Sequence, residues 1–326
     1  MSEFCVLTTI NPPTASVEVL HSIFGSNLIV VGDKKTPQDW AFKSAQYINP
    51  DSKVVNHYAR KNIGYMEAMR QGADLIYDTD DDNTPLPRWK MRHYSHHAHP
   101  AQQAGWYNVY KAFMNQRIWP RGFSLRELHD EPNFAIRTQY LSSIQQGLAD
   151  GEADVDAIYR LTNPQPTTFA KRLSINVGMG QWCPFNSQST WWFPKAYVLM
   201  YLPVYATFRM TDIWRSFIAQ RCLWEINEGV TFHSPSEVIQ HRNPHDLLKD
   251  FEDEIPGYLH NDKIVKLLEG LKLQPGEQAM ADNLLTCYYA LTNAGYLPNE
   301  EIESVKEWID EFKIIQNDTT RTLRQA

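Results

Sequence analysis

The chain has 326 residues, 43% of them hydrophobic and 12% aromatic, enough to bury a large core as one large domain or two smaller ones. Its formal net charge of −7 argues against a general nucleic-acid or anionic-membrane binder, whose affinity would come from basic surface. The four cysteines, Cys5, Cys183, Cys222 and Cys287, show no CxxC spacing, so neither a zinc ribbon nor a disulfide framework is expected and a reducing, cytoplasmic setting is the simpler assignment.

The first segment, residues 4–10, reads as a strand and lacks the charged, apolar and small-residue regions of a secretory signal. Strands are likewise expected at 28–31 and 75–77, with a short one at 54–56; helices are expected at 14–24, 36–46 and 64–71. Such alternation predicts βαβ units and a mostly parallel sheet. The second strand runs into Gly32-Asp33-Lys34-Lys35-Thr36-Pro37, with Thr36 and Pro37 placed as N-cap and first helical residue.

The third strand discharges into Asp78-Thr79-Asp80-Asp81-Asp82-Asn83. Carboxylates this close raise one another's pKa unless they are solvated, protonated or neutralised, and Mg²⁺ or Mn²⁺ carrying a phosphate would neutralise them. The carboxyl ends of strands in an α/β sheet open onto the ligand crevice, so a nucleotide diphosphate is expected here; taken alone, the run could equally be a solvated acidic turn. Arg60 and Lys61 precede a predicted helix start, where backbone NH groups also favour a diphosphate. No GxGxxG or GxxxxGK[ST] sequence occurs, which disfavours a dinucleotide Rossmann site and a P-loop.

Residues 84–180 read as mixed loops and helices punctuated by prolines, and 212–228 carries apolar residues at helical spacing. From about residue 243 onward the pattern is helical, divided by turns at Pro256-Gly257, Pro275-Gly276 and Leu297-Pro298. The longest apolar stretch, 196–206, contains Pro203 and is far too short to span a membrane.

Five segments resemble, in order, the motifs of the STELLO-type glycosyltransferases and, more distantly, of the GT-A nucleotide-diphospho-sugar transferases that include exostosin-like enzymes. They are Val30–Pro37, Ala59–Tyr65, Ile76–Asn83, Val155–Thr162 and Thr211–Ser216, and the likeness runs from about residue 4 to 242. The resemblance implies a GT-A-like three-layer α/β/α sandwich over 1–242, with a helical extension over 243–326 that packs on it or mediates homo-oligomerisation. It also implies a metal-dependent enzyme that moves a sugar from a nucleoside diphosphate, UDP being the expected one, to a carbohydrate hydroxyl. Asp80-Asp81-Asp82 takes the place of the DxD motif, with Mn²⁺ or Mg²⁺ as cofactor, Asp80 and Asp82 as ligands and Asp82 the first choice. Thr8 and Asp33 would face base and ribose, Arg60 and Lys61 the base or phosphates. Asp212 matches the acidic residue on the acceptor side, where it could take a proton from the acceptor hydroxyl or simply cap its helix; Arg215 beside it could hold phosphate or pair with it.

Between Gln181 and Phe193 indoles alternate with small polar groups; Trp191 and Trp192 are expected in the core and Asn186, Ser187 and Gln188 in a sugar subsite. His93, His96, His97 and His99 match no zinc spacing and read as a polar loop. His233, with His241 as its rival, is the candidate for a further metal ligand, since GT-A enzymes commonly take one from a late histidine; read without the resemblance, each is a satisfied surface or core histidine. Two other readings stand beside transfer: a sugar nucleotidyltransferase, disfavoured because Thr8-Thr9-Ile10-Asn11-Pro12-Pro13 lacks a Gly-rich basic loop, and a catalytically silent scaffold that binds nucleotide-sugar.

Overall fold

The computed structural model describes residues 2–129, 131–163, 165–171, 173–241 and 246–325. Its strands in chain order are β1 (Glu3–Thr8), β2 (Leu28–Val31), β3 (Gln46–Ile48), β4 (Leu75–Thr79), β5 (Asn83–Pro85), β6 (Ser95–Pro100) and β7 (Gly105–Trp106). They continue with β8 (Thr138–Leu141), β9 (Ile144–Gly151), β10 (Ser174–Val177), β11 (Gln181–Trp182), β12 (Ser189–Trp192) and β13 (Val230–Gln240). The helices are α1 (Ala15–Phe24), α2 (Lys61–Arg70), α3 (Val109–Phe113), α4 (Ala157–Thr162), α5 (Thr211–Leu223), α6 (Leu247–Glu269), α7 (Met280–Asn293) and α8 (Glu301–Gln325).

One sheet orders its strands β3-β2-β1-β4-β12-β9-β13-β10-β6-β8, with β5 added to β13; β7 and β11 form a small separate ribbon. Strands β3, β2, β1 and β4 are parallel throughout, and β9, β13 and β8 run the same way, so most of the sheet shares one direction while β12, β10, β6 and β5 oppose it. The period-2 alternation of β1 divides the core between two faces. Cys5 and Leu7 pack with Val17, Leu20 and Phe24 of α1, whereas Phe4 and Val6 pack with Tyr65 and Met66 of α2 and with the cluster that also holds α5 to α8. Layers of helix, sheet and helix result, as the resemblance implies.

α1 starts where its sequence says it should: the Thr14 side chain accepts from the Val17 amide and caps the helix. Its partner α2 lies close to the sheet because Gly64 has no Cβ; one built there would meet Val6 Cγ1 at 2.6 Å and Val31 Cγ2 at 2.8 Å. That close approach brings the first residue of α2, Lys61, under the end of β4.

Four expectations are corrected. Residues 36–46 form no helix: the Thr36 hydroxyl receives the Asp33 amide and donates to Thr9 O, and Trp40 stacks on Tyr47 at 4.9 Å in a folded loop that ends in β3. Residues 54–56 form no strand, because Val54 O accepts from Arg60 Nη1 and Asn56 has φ 48°. The 84–180 region carries β5, β6, β8, β9 and β10, and the histidine group lies partly on β6 rather than in a loop. Pro256-Gly257 does not divide a helix; α6 runs through it, and Gly257 sits so near Met210 that a Cβ would fall 2.4 Å from its Sδ. Contact with Met210, just before α5, thus offsets the local cost of an interior proline.

The junction expected at 242/243 falls outside the described residues. α6, α7 and α8 share the large cluster with the sheet: Trp214 Nε1 donates to Asn261 Oδ1, Trp308 Nε1 donates to Val198 O, and Glu301 accepts from the Val204 and Tyr205 amides. Ile302, Val305, Trp308 and Ile309 form the buried stripe of α8, worth roughly 1.5–3 kcal/mol for each large side chain covered. Trp191 and Trp192 are fully buried, as expected.

Candidate nucleotide-sugar site

The carboxyl ends of β1, β2 and β4 lie side by side, and their polar residues interlock. Asp78, fully buried in β4, faces two cations: Lys61 Nζ at 2.9 Å and Arg215 Nη1 at 3.2 Å. Lys61 also reaches Asp80 Oδ1 at 2.8 Å and the Tyr58 hydroxyl at 2.9 Å, while that hydroxyl donates to the same Asp80 oxygen at 2.5 Å. Burial opposes the Lys61 charge, but Asp78 and Asp80 outweigh it and hold the ammonium well above its ordinary pKa. Asp80 is pushed upward by its own burial, against the pull of Lys61.

The three successive aspartates diverge. Asp81 turns toward the β1–α1 loop, where Thr9 Oγ1 and Asn11 Nδ2, the latter at 3.0 Å, both donate to Oδ2. Asp82 points to the end of β13 and receives Gln240 Nε2 at 3.1 Å, and its carbonyl accepts the His241 amide at 2.9 Å. Asp81 and Asp82 have no cationic partner among the described residues. Burial and the neighbouring Asp80 and Asp81 charges push the Asp82 carboxyl up to about 7, with Gln240 pulling it down.

A second buried network shares Arg215 with the first. Arg215 Nη2 donates to Ser187 Oγ at 2.7 Å, and the Ser187 amide donates to Asp212 Oδ2 at 3.3 Å. Both Asp212 oxygens accept from the Arg121 fork, at 2.9 and 3.0 Å, and Arg121 grips Asp154 through two further bonds of 2.8 Å. Asn186 Nδ2 donates to Asp154 Oδ2 at 2.8 Å and its Oδ1 accepts from Gln146 Nε2 at 3.0 Å. Asp212 sits in the first turn of α5 and is not its N-cap, which is Met210.

Of the residues singled out by sequence, Thr8, Asp33, Arg60, Lys61, Asp80, Asp81 and Asp82 gather at this one edge. Thr8 Oγ1 donates to Val31 O at 2.9 Å, and Asp33 Oδ1 accepts the Lys34 amide at 2.6 Å. Arg60 spends its donors on Gly32 O, Val54 O, Asn49 Oδ1 and Pro50 O, so it shapes the loops around the edge from within. Asp212, Arg215 and Asn186 belong to the buried networks behind it.

His233 is not brought to the aspartates. It lies on β13 seven residues before Gln240, about 20 Å of extended chain. Gln145 Oε1 and Ser174 Oγ occupy its ring nitrogens at 2.9 and 2.8 Å, and burial drives its pKa well below the ordinary value. The acidic tract meets the backbone of His241 instead.

Four residues went unselected: Asp78, Tyr58, Arg121 and Gln240. Asp78 had a signal, since a carboxylate inside an apolar strand demands a buried cation and Lys61 and Arg215 were both in view. Tyr58, Arg121 and Gln240 had none, because their partners lie 22, 33 and 158 residues away.

A divalent cation fits part of this edge. Among the described residues Asp80 Oδ2 has no protein donor and Asp82 has no cationic partner, and hard ions that bridge phosphates usually take one or two carboxylates from the protein. Among the described residues no group of three or more His, Cys, Asp or Glu side chains is arranged to hold a metal by itself, so phosphate oxygens would have to complete such a shell. Nor is any described helix long and apolar enough to cross a membrane.

Residues 209–325 match the family described as STELLO glycosyltransferases. The chain is 23% identical to the Arabidopsis thaliana proteins named probable glycosyltransferase STELLO2 and STELLO1, over 96% and 95% of its own length. It spans 45% and 44% of theirs, less than half of each. Among solved structures, Staphylococcus aureus TarS 1–349 in complex with UDP-GlcNAc aligns over 99% of this chain and 92% of its own at 10% identity, with a TM-score of 0.40.

Proposed function

We propose, for a chain homologous to the STELLO glycosyltransferases over nearly its whole length, that it transfers a sugar from a nucleoside diphosphate sugar, a UDP-sugar, to a carbohydrate hydroxyl with the help of Mn²⁺ or Mg²⁺. One observation carries the reading. At the carboxyl edge of the parallel strands four carboxylates, Asp78, Asp80, Asp81 and Asp82, stand against two cations, Lys61 and Arg215, a deficit of two charges that one divalent ion would cancel.

Asp82 and the uncommitted oxygen of Asp80 would hold the ion, which when bound would offset the negative charge that builds on the diphosphate as the sugar departs. Lys61 and Tyr58 fix the other Asp80 oxygen and so aim the free one outward. Thr8 and Asp33 stand on the base and ribose side, with Arg60 holding the Asp33 loop in place. We assign Asp212 and Arg215 positioning roles: Arg215 braces Asp78 against Ser187, and Asp212 anchors Arg121.

Titration calorimetry of UDP with and without Mn²⁺, followed by incubation with UDP- and GDP-sugars and assay of free nucleoside diphosphate, tests the proposal. Metal-dependent UDP binding lost in Asp82→Ala is the expected outcome; UDP binding indifferent to metal and to Asp82→Ala would overturn it. The full engagement of Asp212 by Arg121 favours a second reading, a silent nucleotide-sugar binder, which predicts metal-dependent binding with no diphosphate release from any donor.

A further inference from the structure

β13 leaves its register with β9 between His233 and Val238, and a cavity of about 440 Å³ opens there, between the 88–92 segment and the ends of β6 and β10. Its charge is opposite in sign to that of the chain. Among the described residues, Arg88, Lys90, Arg92 and Arg137 line it against Glu237, and the one further carboxylate engaged is Asp150, which meets Arg88 at 3.3 Å. Four cations against two carboxylates leave a local excess of two positive charges on a protein of net charge −7.

The pocket has a built floor. Arg92 is largely buried, fixed by Glu237 Oε2 at 2.8 Å and lying over the Trp191 ring at 5.2 Å, while its Nε has no partner among the described residues. Ser234, only 8% exposed, also lines the cavity, its hydroxyl without a partner among the described residues. Burial presses the Arg92 pKa down in spite of Glu237, a penalty that a bound anion would relieve. Arg88, Lys90 and Arg137 are exposed at the rim, where they can close on a charged guest.

We propose that this pocket binds a dianionic phosphate group, either free, as inorganic phosphate, or as the phosphate ester of a sugar. The excess of two charges matches a dianion, the Arg92 fork and the Ser234 hydroxyl supply oriented donors, and guanidinium groups suit phosphate oxygens geometrically. The site is separate from the acidic edge. Gln240, which touches Asp82, lies three residues beyond Glu237 on β13, about 10 Å along the strand.

Calorimetry on the full chain in EDTA, with inorganic phosphate, glucose 6-phosphate and glucuronate as probes, tests this independently of any metal-assisted donor site. Binding of inorganic phosphate or the sugar phosphate is expected, weakening as salt rises, with glucuronate at least about tenfold weaker because it brings one charge instead of two. The rim variant Lys90→Ala/Arg137→Ala should keep the wild-type melting temperature and lose about tenfold or more in affinity. Asp82→Ala should bind as the wild type does. A preference for inorganic phosphate identifies a free anion as the guest, and a preference for the ester identifies a phosphorylated sugar. No binding of either phosphate by the wild type, equal binding of glucuronate, or full affinity in the rim variant would each overturn the proposal.

Discussion

Asp82 is a half-buried carboxylate with no counter-charge among the described residues, and this has a calculable cost. Its carboxyl is pushed up to about 7 in the fold, above the value of an unfolded chain. The folded state therefore binds the proton more tightly, and the metal-free protein loses stability as pH rises from about 4 to about 7, by up to about 4 kcal/mol from this group. Asp82→Asn should raise the melting temperature of the metal-free protein at pH 8 and leave it nearly unchanged at pH 4; scanning calorimetry at both values decides. In the wild type, Mn²⁺ affinity should climb through pH 6–7 as the carboxylate forms, and a flat profile would contradict the assignment. Lys61 carries the opposite liability. Lys61→Met leaves Asp78 and Asp80 without it in a buried site and should cost about 3–5 kcal/mol in denaturant unfolding.

The contact between α2 and the parallel strands decides where Lys61 sits. Gly64→Ala would push a methyl group into Val6 and Val31, and is expected to destabilise by about 1–3 kcal/mol. The shift of α2 should also weaken metal-dependent UDP binding, a loss that calorimetry would register and a purely local repacking would not produce. β1, α1, β2 and β4 could be read because short-range signals agree there: alternating apolar residues, the Thr14 cap, and turns between them. Thr36-Pro37 offered an equally good helix start, yet Thr36 is claimed by Asp33 and by Thr9, the latter 27 residues away, a contact no local pattern contains. At the site, residue types and strand ends were readable while directions were not. Three consecutive aspartates looked like one cluster, and only the placement of Asn11, Lys61 and Gln240 sends them apart.

Across the whole molecule the C-terminal helices are bound into the core that supports the site. Trp308 and Trp214 each spend an indole NH across this junction, and Tyr201 and the Val204 and Tyr205 amides all converge on Glu301. Truncation after residue 246 would bare those apolar faces and leave the 201–205 segment without its acceptor. The shortened chain should show no cooperative thermal transition, whereas the full chain should melt in one. A sharp transition in the truncated chain would mean that α6 to α8 are merely appended.

The bond between Gln188 and Gln240 lends the acidic edge a polarity of its own. Gln188 Nε2 donates to Gln240 Oε1, which leaves Gln240 Nε2 to face Asp82. An amide has one accepting end and one donating end, so the first contact dictates the second. Gln188→Glu would offer Gln240 an acceptor in place of a donor, turn its amide around and set an oxygen against Asp82. A residue that never meets the aspartate would then govern how tightly it keeps its proton, and the midpoint of pH-dependent Mn²⁺ binding should move upward.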